Sequence, residues 1–248
     1  MKLKDKVAFI TGGARGIGEV FAKALVAEGA MAMIADISLE HGEQTAKAIR
    51  DAGGRASAVR CDVADDESID KAVAATISEF GGVDILINNA GKHLTEFGQP
   101  VTQLSTEKWR EMLDVNVIGL VSCSRACKQT LAARGGGVIV NLASISGFLS
   151  NTGYGISKLA VRGLTVALAI ELADQGTRVF GIAPGIMDSA AAMGDLAPRL
   201  EPLLARQLIK RVGRMDELVP ALIFLCSDDS SYMTGETLMI AGGFPTRL

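Results

Sequence analysis

A tyrosine and a lysine stand four residues apart in Tyr154-Gly-Ile-Ser-Lys158. On a helix that spacing puts a phenol and an ammonium on one face, one turn apart. A free phenol releases its proton only near pH ~10, and a neighbouring cation favours the phenolate, so the pair could take and return a proton. Near the start of the chain, Thr11-Gly-Gly-Ala-Arg-Gly-Ile-Gly18 follows a short apolar run and precedes a helical pattern. Backbone N–H groups of such a turn can hold a pyrophosphate. Together, a nucleotide cradle and a tuned phenol point to hydride transfer coupled to proton transfer.

Those residues need a scaffold, and the rest of the chain supplies one. Val7–Thr11, Ala30–Ala35, Ala56–Cys61, Ile85–Asn88, Val138–Leu142, Val179–Ala183 and Leu238–Ile240 read as strands. Between them, Gly18–Glu28, Leu39–Ala52, Asp66–Phe80 and Tyr154–Ala173 have helical spacing. The alternation implies βαβ units and a parallel sheet covered on both faces. Glycines punctuate it: Gly29, Gly53-Gly54 and Gly81-Gly82 each close a helix just before a strand. No linker or repeat divides the 248 residues, so one continuous domain is expected. The least regular stretch runs from Pro184 to about Gly213, and long excursions of this kind are usually functional.

Gly12, Gly16 and Gly18 sit as G-x-x-x-G-x-G in strand–turn–helix order, the context that phosphate binding needs. Asp36 ends the second strand candidate, where a carboxylate can accept from the adenosine ribose hydroxyls and repel a 2′-phosphate. NAD is therefore expected over NADP. Asp36 could instead cap the helix that starts near Ser38, and Arg15 could meet a 2′-phosphate or stand in solvent. Asp62 is placed to touch an adenine amino group, with Asp65 and Asp66 better placed to cap the next helix. Asn88 reads as a tie between strands, while Asn89-Ala90-Gly91 would let a flat cofactor approach the backbone.

Composition bounds the rest. The chain is 48% hydrophobic and 21% charged, with a net charge of −3. That argues against a nucleic-acid partner. The four cysteines form no CxxC pair and the two histidines do not match them, so no metal site is expected and buried reduced thiols are the reading. Val7–Ile10 is too short for a signal-peptide core, and Val161–Ala173 is broken by Arg162 and Glu171, so no membrane span and a cytoplasmic location are expected.

The ordered set TGGARGIG, Asp36, CDV, NNAG, Asn116, NLAS, YGISK, PG and a C-terminal GG resembles the short-chain dehydrogenase/reductase family in its shorter form, over essentially the whole chain. The resemblance implies a single doubly wound Rossmann-type α/β domain with a seven-stranded parallel sheet, helices on both faces, a nicotinamide cofactor and a homotetramer or homodimer. It implies Tyr154 as general acid/base and Lys158 as its tuning cation and holder of the nicotinamide ribose. Ser144 would bind the substrate oxygen, and Asn116 a water that relays protons from Lys158. The cofactor would meet Gly12, Arg15, Gly16, Ile17, Gly18, Asp36, Ile37, Asp62, Val63, Asn89, Ala90 and Gly91. Farther along, Pro184, Gly185, Met187 and Ser189 would hold the carboxamide, and Ala190–Gln207 would form a mobile lid over an uncharged or partly apolar small-molecule substrate. Read singly, these residues have plainer roles: Tyr154 and Lys158 as a surface pair, Asn116 as a cap or kink, Ser144 as one loop serine among several.

Two departures stand out. Ser144 and Tyr154 are ten residues apart, about three fewer than the family usually has. Three residues can span up to roughly 10 Å, so the shorter loop either widens the site or draws Ser144 out of reach. Ala241 stands where the family commonly has aspartate, and His93 lies where a pocket wall would be. The expectation is an NAD-dependent oxidoreductase interconverting a secondary alcohol and a ketone. The alternatives are an NADP-dependent 3-oxoacyl-type reductase and a catalytically weak NAD-binding sensor or assembly protein.

Overall fold

Seven parallel strands form one sheet in the order β3-β2-β1-β4-β5-β6-β7. In this computed structural model, residues 1–190, 193 and 200–244 are described, with backbone alone at 95 and 96. The strands are β1 (Val7–Thr11), β2 (Met31–Asp36), β3 (Arg55–Arg60), β4 (Ile85–Asn88), β5 (Val138–Leu142), β6 (Arg178–Pro184) and β7 (Thr237–Ile240). All seven fall where the apolar runs place them, shifted by a residue at some ends; Asp36 is the last residue of β2.

Near-continuous apolar runs make these strands because both faces are buried. Alternate side chains go to opposite cores. Ile10, Ile34, Ile87, Val140 and Phe180 face α1 (Gly16–Ala27), α2 (Leu39–Asp51) and the helix Val219–Cys226. Phe9, Met33, Leu86, Ile139 and Val179 face the other side. There they meet α3 (Asp66–Phe80), α6 (Gly119–Ala133) and α8 (Gly153–Leu172). The short α4 (Leu94–Phe97), α5 (Thr106–Leu113) and α7 (Ser146–Leu149) lie in the connections after β4 and β5. The fold is a doubly wound Rossmann-type α/β arrangement.

One element starts earlier than expected. Helix α1 starts at Gly16 and not Gly18, so two of the three glycines belong to its first turn. The lid expected over Ala190–Gln207 lies partly outside the described residues. Within them Leu200–Ala205 is helical, and Gln207 has left the helix, donating from Nε2 to the carbonyls of Ile209 and Arg211 (2.9 Å each). Finally, Gly153–Glu171 is by length and composition apolar enough to cross a membrane. Half of that window is buried, as befits a core helix with one face on the sheet.

Candidate active site

Strand order reverses between β1 and β4, and ligands of open parallel sheets bind at the carboxyl ends of the strands beside such a reversal. Thr11 and Asn88 close these two strands as register partners. The buried Thr11 hydroxyl donates to the Ile87 carbonyl (3.2 Å) and accepts from the N–H groups of Asn89 and Ala90 (3.1 Å each). Asn89 Nδ2 donates to the carbonyls of Thr11 (3.0 Å) and Gly12 (2.7 Å). The glycine turn and Asn89-Ala90-Gly91 are thereby fixed as one unit.

The glycines of the turn do different jobs. A Cβ on Gly18 would fall 2.2 Å from the Gly12 carbonyl oxygen, so only glycine lets α1 sit this close to the turn. A Cβ on Gly16 would meet nothing within 4 Å, and its φ of +59° is a glycine conformation. No side chain caps α1, and Arg15 at the cap position is exposed. An open cradle at an uncapped helix N-terminus fits a pyrophosphate.

Asp36 does not cap α2. Its Oδ2 accepts from the Ala14 N–H (3.1 Å) inside the glycine turn, and its Oδ1 from the Ser38 N–H (3.0 Å). An ionised carboxylate offers about four acceptor directions, so ribose hydroxyls could share it. Ile37 beside it is exposed. Asp62 accepts from the Ala64 N–H (3.0 Å), while Asp65 caps α3 by accepting from the Glu67 N–H (3.0 Å). Val63 is buried beneath Gly119, whose added Cβ would come within 2.6 Å of the Val63 carbonyl oxygen.

Tyr154 and Lys158 occupy the first turns of α8, which Thr152 caps by accepting from the Gly155 N–H (3.0 Å). They are not a surface pair. Tyr154 is buried among Phe97, Leu104 and Met112, and the His93 ring lies 6.1 Å from its own. Burial pushes its phenol up to about 12, and a hydrogen bond with Ser144 works the other way. Despite the short loop, the Ser144 hydroxyl stays near enough to act on the phenol. Lys158 Nζ lies 5.7 Å from the Tyr154 ring centroid and donates to the Leu142 carbonyl (2.7 Å). Burial pulls its pKa down to about 8, which leaves it mostly charged at neutrality.

Asn116 departs from a regular helix, because Asp114–Ile118 forms a π-helical turn between α5 and α6. Its Oδ1 accepts from the Lys92 N–H (2.7 Å), and its Nδ2 donates to Ser157 Oγ (3.1 Å). Ser157 in turn donates to the Tyr154 carbonyl (2.7 Å). Between these groups is a small cavity lined by Thr11, Asn88, Ala90, Asn116, Leu142 and Lys158, with room for about one water molecule. Asn88 ties strands as expected, its amide donating to Asn141 Oδ1 (2.9 Å) and Ser124 Oγ (3.2 Å).

Pro184 ends β6 and Gly185 follows it. Met187 forms a parallel bridge with Gly213, using the Ile186 carbonyl and the Asp188 N–H (2.9 Å each). In such a bridge the N–H and C=O of Met187 itself point the other way. Ser189 beyond it is half-buried. Ala241 packs against Ile145 and Phe244, and an added Cβ on Gly185 would meet its Cα at 2.7 Å. Among the described residues no group of His, Cys, Asp or Glu could hold a metal, and all four cysteines are free and buried.

Sequence reasoning missed three members of the constellation: the Thr11 hydroxyl, Ser157 and the Leu142 carbonyl. Thr11 and Ser157 carried a signal, each being a hydroxyl on a face otherwise reserved for buried residues. The Leu142 carbonyl carried none, since any residue has one.

A buried lysine leaves a trace in stability. Unfolded, Lys158 titrates at its ordinary 10.5; folded, at about 8. Between these values the unfolded chain holds a proton that the native protein has released, so this lysine makes stability rise with pH through that window. Lys158→Met is expected to remove the rise and to stabilise the protein below pH ~8 by roughly 3 kcal/mol. Urea unfolding of both proteins at several pH values gives the difference, in which the buried thiols cancel. Parallel curves would sink the idea.

A family profile described as Enoyl-(Acyl carrier protein) reductase matches residues 12–245. The chain is 35% identical over 243 residues to cis-4-hydroxycyclohexanecarboxylate dehydrogenase of Sinomonas cyclohexanicum, covering 97% of this chain and 96% of that one. It is 38% identical over 248 residues to 3beta-hydroxysteroid dehydrogenase 1 of Eggerthella lenta, covering 97% and 94%. A crystal structure of a short-chain type dehydrogenase/reductase from Mycobacterium marinum superposes with a TM-score of 0.93 at 32% identity, covering 99% and 98%. Set beside the motif order and the reversal-point crevice, these likenesses place the chain in the short-chain dehydrogenase/reductase family, as an oxidoreductase whose family binds a nicotinamide dinucleotide.

Proposed function

We propose that this protein, a single domain, is an NAD-dependent dehydrogenase that interconverts a secondary alcohol and a ketone, with Tyr154 as general acid/base. The observation that carries this reading is Tyr154 itself. It is a buried phenol at the positive end of α8, close enough to Ser144 for that hydroxyl to favour its ionised form, with the Lys158 ammonium 5.7 Å from its ring.

The nicotinamide, when bound, supplies the hydride acceptor or donor. Gly12, Arg15, Gly16, Ile17 and Gly18 would hold the pyrophosphate, Asp36 and Ile37 the adenosine ribose, and Asp62 and Val63 the adenine. Asn89, Ala90 and Gly91 would lie along the cofactor, with Lys158 on the nicotinamide ribose and Pro184, Gly185, Met187 and Ser189 at the carboxamide. In oxidation Tyr154 takes the alcohol proton, and in reduction it returns that proton to the carbonyl oxygen. A phenol near 12 is a poor base at neutrality, so Lys158 and the cationic ring of the oxidised cofactor must draw its pKa down. Ser144 orients the substrate oxygen and stabilises charge on it. A water in the small cavity would link Lys158 to Asn116 for proton exchange.

Phe97, Leu104 and Met112 around Tyr154 favour an uncharged or partly apolar small molecule. Two relatives are named for secondary ring alcohols, one a hydroxycyclohexane acid and one a hydroxysteroid. Cyclic secondary alcohols therefore lead the test panel, assayed with NAD and NADP by absorbance of the reduced cofactor. NAD reduction by at least one alcohol is expected. Bound NAD with no turnover across the panel would leave the sensor reading in its place. The exposed Arg15 at the glycine turn favours a second reading, an NADP-dependent acyl-chain reductase. A β-ketoacyl thioester with NADPH tests it.

The protein would act as a homodimer or homotetramer. One face of α8 is buried and the other carries Ile156, Leu159, Val166 and Ile170, which are 36–75% exposed and spaced as one stripe. A second copy of the chain fits such a stripe. Val166→Glu with Ile170→Glu is expected to convert the oligomer to monomer in sedimentation velocity, and an unchanged sedimentation coefficient would place the interface elsewhere. Four buried free thiols suit a reducing compartment such as the cytoplasm.

A further inference from the structure

We propose that Arg162 is a positioning residue for Ser144, clamping the short turn that follows it onto α8; this rests on the catalytic reading of Ser144 and Tyr154. The chain must leave Ser144 and start α8 at Gly153 within a few residues. It does so by folding Ser146–Leu149 into the single turn α7 and placing Ser150 in a left-handed conformation (φ 52°). The orientation of Ser144 depends on that turn. Its Oγ accepts from the Ser146 N–H (3.1 Å), and its carbonyl accepts from the Gly147 N–H (3.0 Å).

Helix α8 holds the turn in place. A Cβ on Gly147 would fall 2.6 Å from the backbone of Lys158, and one on Gly155 would fall 2.8 Å from the Ser146 carbonyl oxygen. The two backbones thus meet along a seam that admits only glycine. Arg162, one turn beyond Lys158, closes this seam. Its Nη1 donates to the Gly147 carbonyl (3.0 Å), and its guanidinium carbon lies 3.5 Å from the Phe148 ring centroid. Stacking and donating at once requires a flat, multidentate cation, which lysine cannot reproduce. Tyr154, Lys158 and Arg162 recur at one-turn intervals, so the helix that carries the phenol also braces the turn that orients the serine beside it.

The test is a cycle of Arg162→Ala and Ser144→Ala, singly and together, on the most active alcohol of the panel. Arg162→Ala is expected to lower kcat by roughly 10–100-fold, leaving the KM for NAD nearly unchanged, because a small misplacement of a reacting partner costs that much. Arg162→Lys should not restore it. In the Ser144→Ala background the same Arg162→Ala change is expected to cost almost nothing, since the hydroxyl it orients is gone. An equal loss in both backgrounds, or no loss in either, overturns the proposal. If Ser144→Ala alone keeps full kcat, the catalytic reading of Ser144 fails first and the proposal falls with it. Should Arg162→Ala not fold, Arg162→Gln, which keeps a planar donor without the charge, enters the same cycle.

Discussion

Tyr154→Phe is expected to lower turnover by about a hundred- to ten-thousandfold, the usual weight of a general acid/base, while cofactor affinity stays nearly unchanged. Phenylalanine fills the same space among Phe97, Leu104 and Met112, so the change removes one hydroxyl and little else. The variant should also be more resistant to alkali. Tyr154 keeps its proton to about 12 in the folded protein, against an ordinary 10.0. Between those values the unfolded chain has released a proton that the native protein still holds, so the tyrosine makes stability fall with rising pH, and phenylalanine removes that fall. Stopped-flow turnover, NADH fluorescence titration and alkaline unfolding separate the three effects. A phenylalanine variant with intact turnover would move the proton transfer to another group, and His93, its ring 6.1 Å from that of Tyr154, is the first to examine.

The parts of this molecule that were legible beforehand share a physical cause. Strands buried on both faces must be apolar throughout, and Val7–Thr11 or Val138–Leu142 cannot easily be anything else. Tyr154 and Lys158 were legible because four residues make about one helical turn. Asn116 was read as the holder of a relay water or as a cap or kink, but its π-turn was not foreseeable from Asp-Val-Asn-Val-Ile, which does not distinguish it from an ordinary helix. Tertiary contacts accompany that turn: Gly119 meets the Val63 carbonyl, and Asn116 is held by the Lys92 backbone. Ser144 was ambiguous for a similar reason. Loop length alone left open whether the shortening widened the site or displaced the serine. What sequence alone did not reveal is how the connection is held: Gly147 and Gly155, whose missing side chains let α7 close onto α8, and an arginine two turns beyond the tyrosine that donates to the Gly147 carbonyl. Asp36 was read as either a cap or a ribose ligand, and bracing the glycine turn was a role not considered.

That bracing role shapes the second large effect, on cofactor choice. Asp36→Asn is expected to raise kcat/KM with NADP by roughly 10–100-fold and to bring the proposed preference for NAD close to parity. A carboxylate about 4 Å from a phosphate charge, at an effective dielectric constant of ~20, costs about 4 kcal/mol for each pair of unit charges, and solvent at the crevice mouth reduces this. Asparagine removes the charge and keeps one oxygen. Asp36 now serves the N–H groups of both Ala14 and Ser38, so one of them loses its acceptor and the NAD KM should rise by a few fold. Arg15, exposed at the cap of α1, then becomes the cation best placed for the 2′-phosphate. Adding Arg15→Ala should cancel most of the NADP gain and leave the NAD values where Asp36→Asn put them. An unaltered NAD/NADP ratio in Asp36→Asn would mean that the 2′ position is read elsewhere, and the acyl-chain reductase reading would then regain its ground.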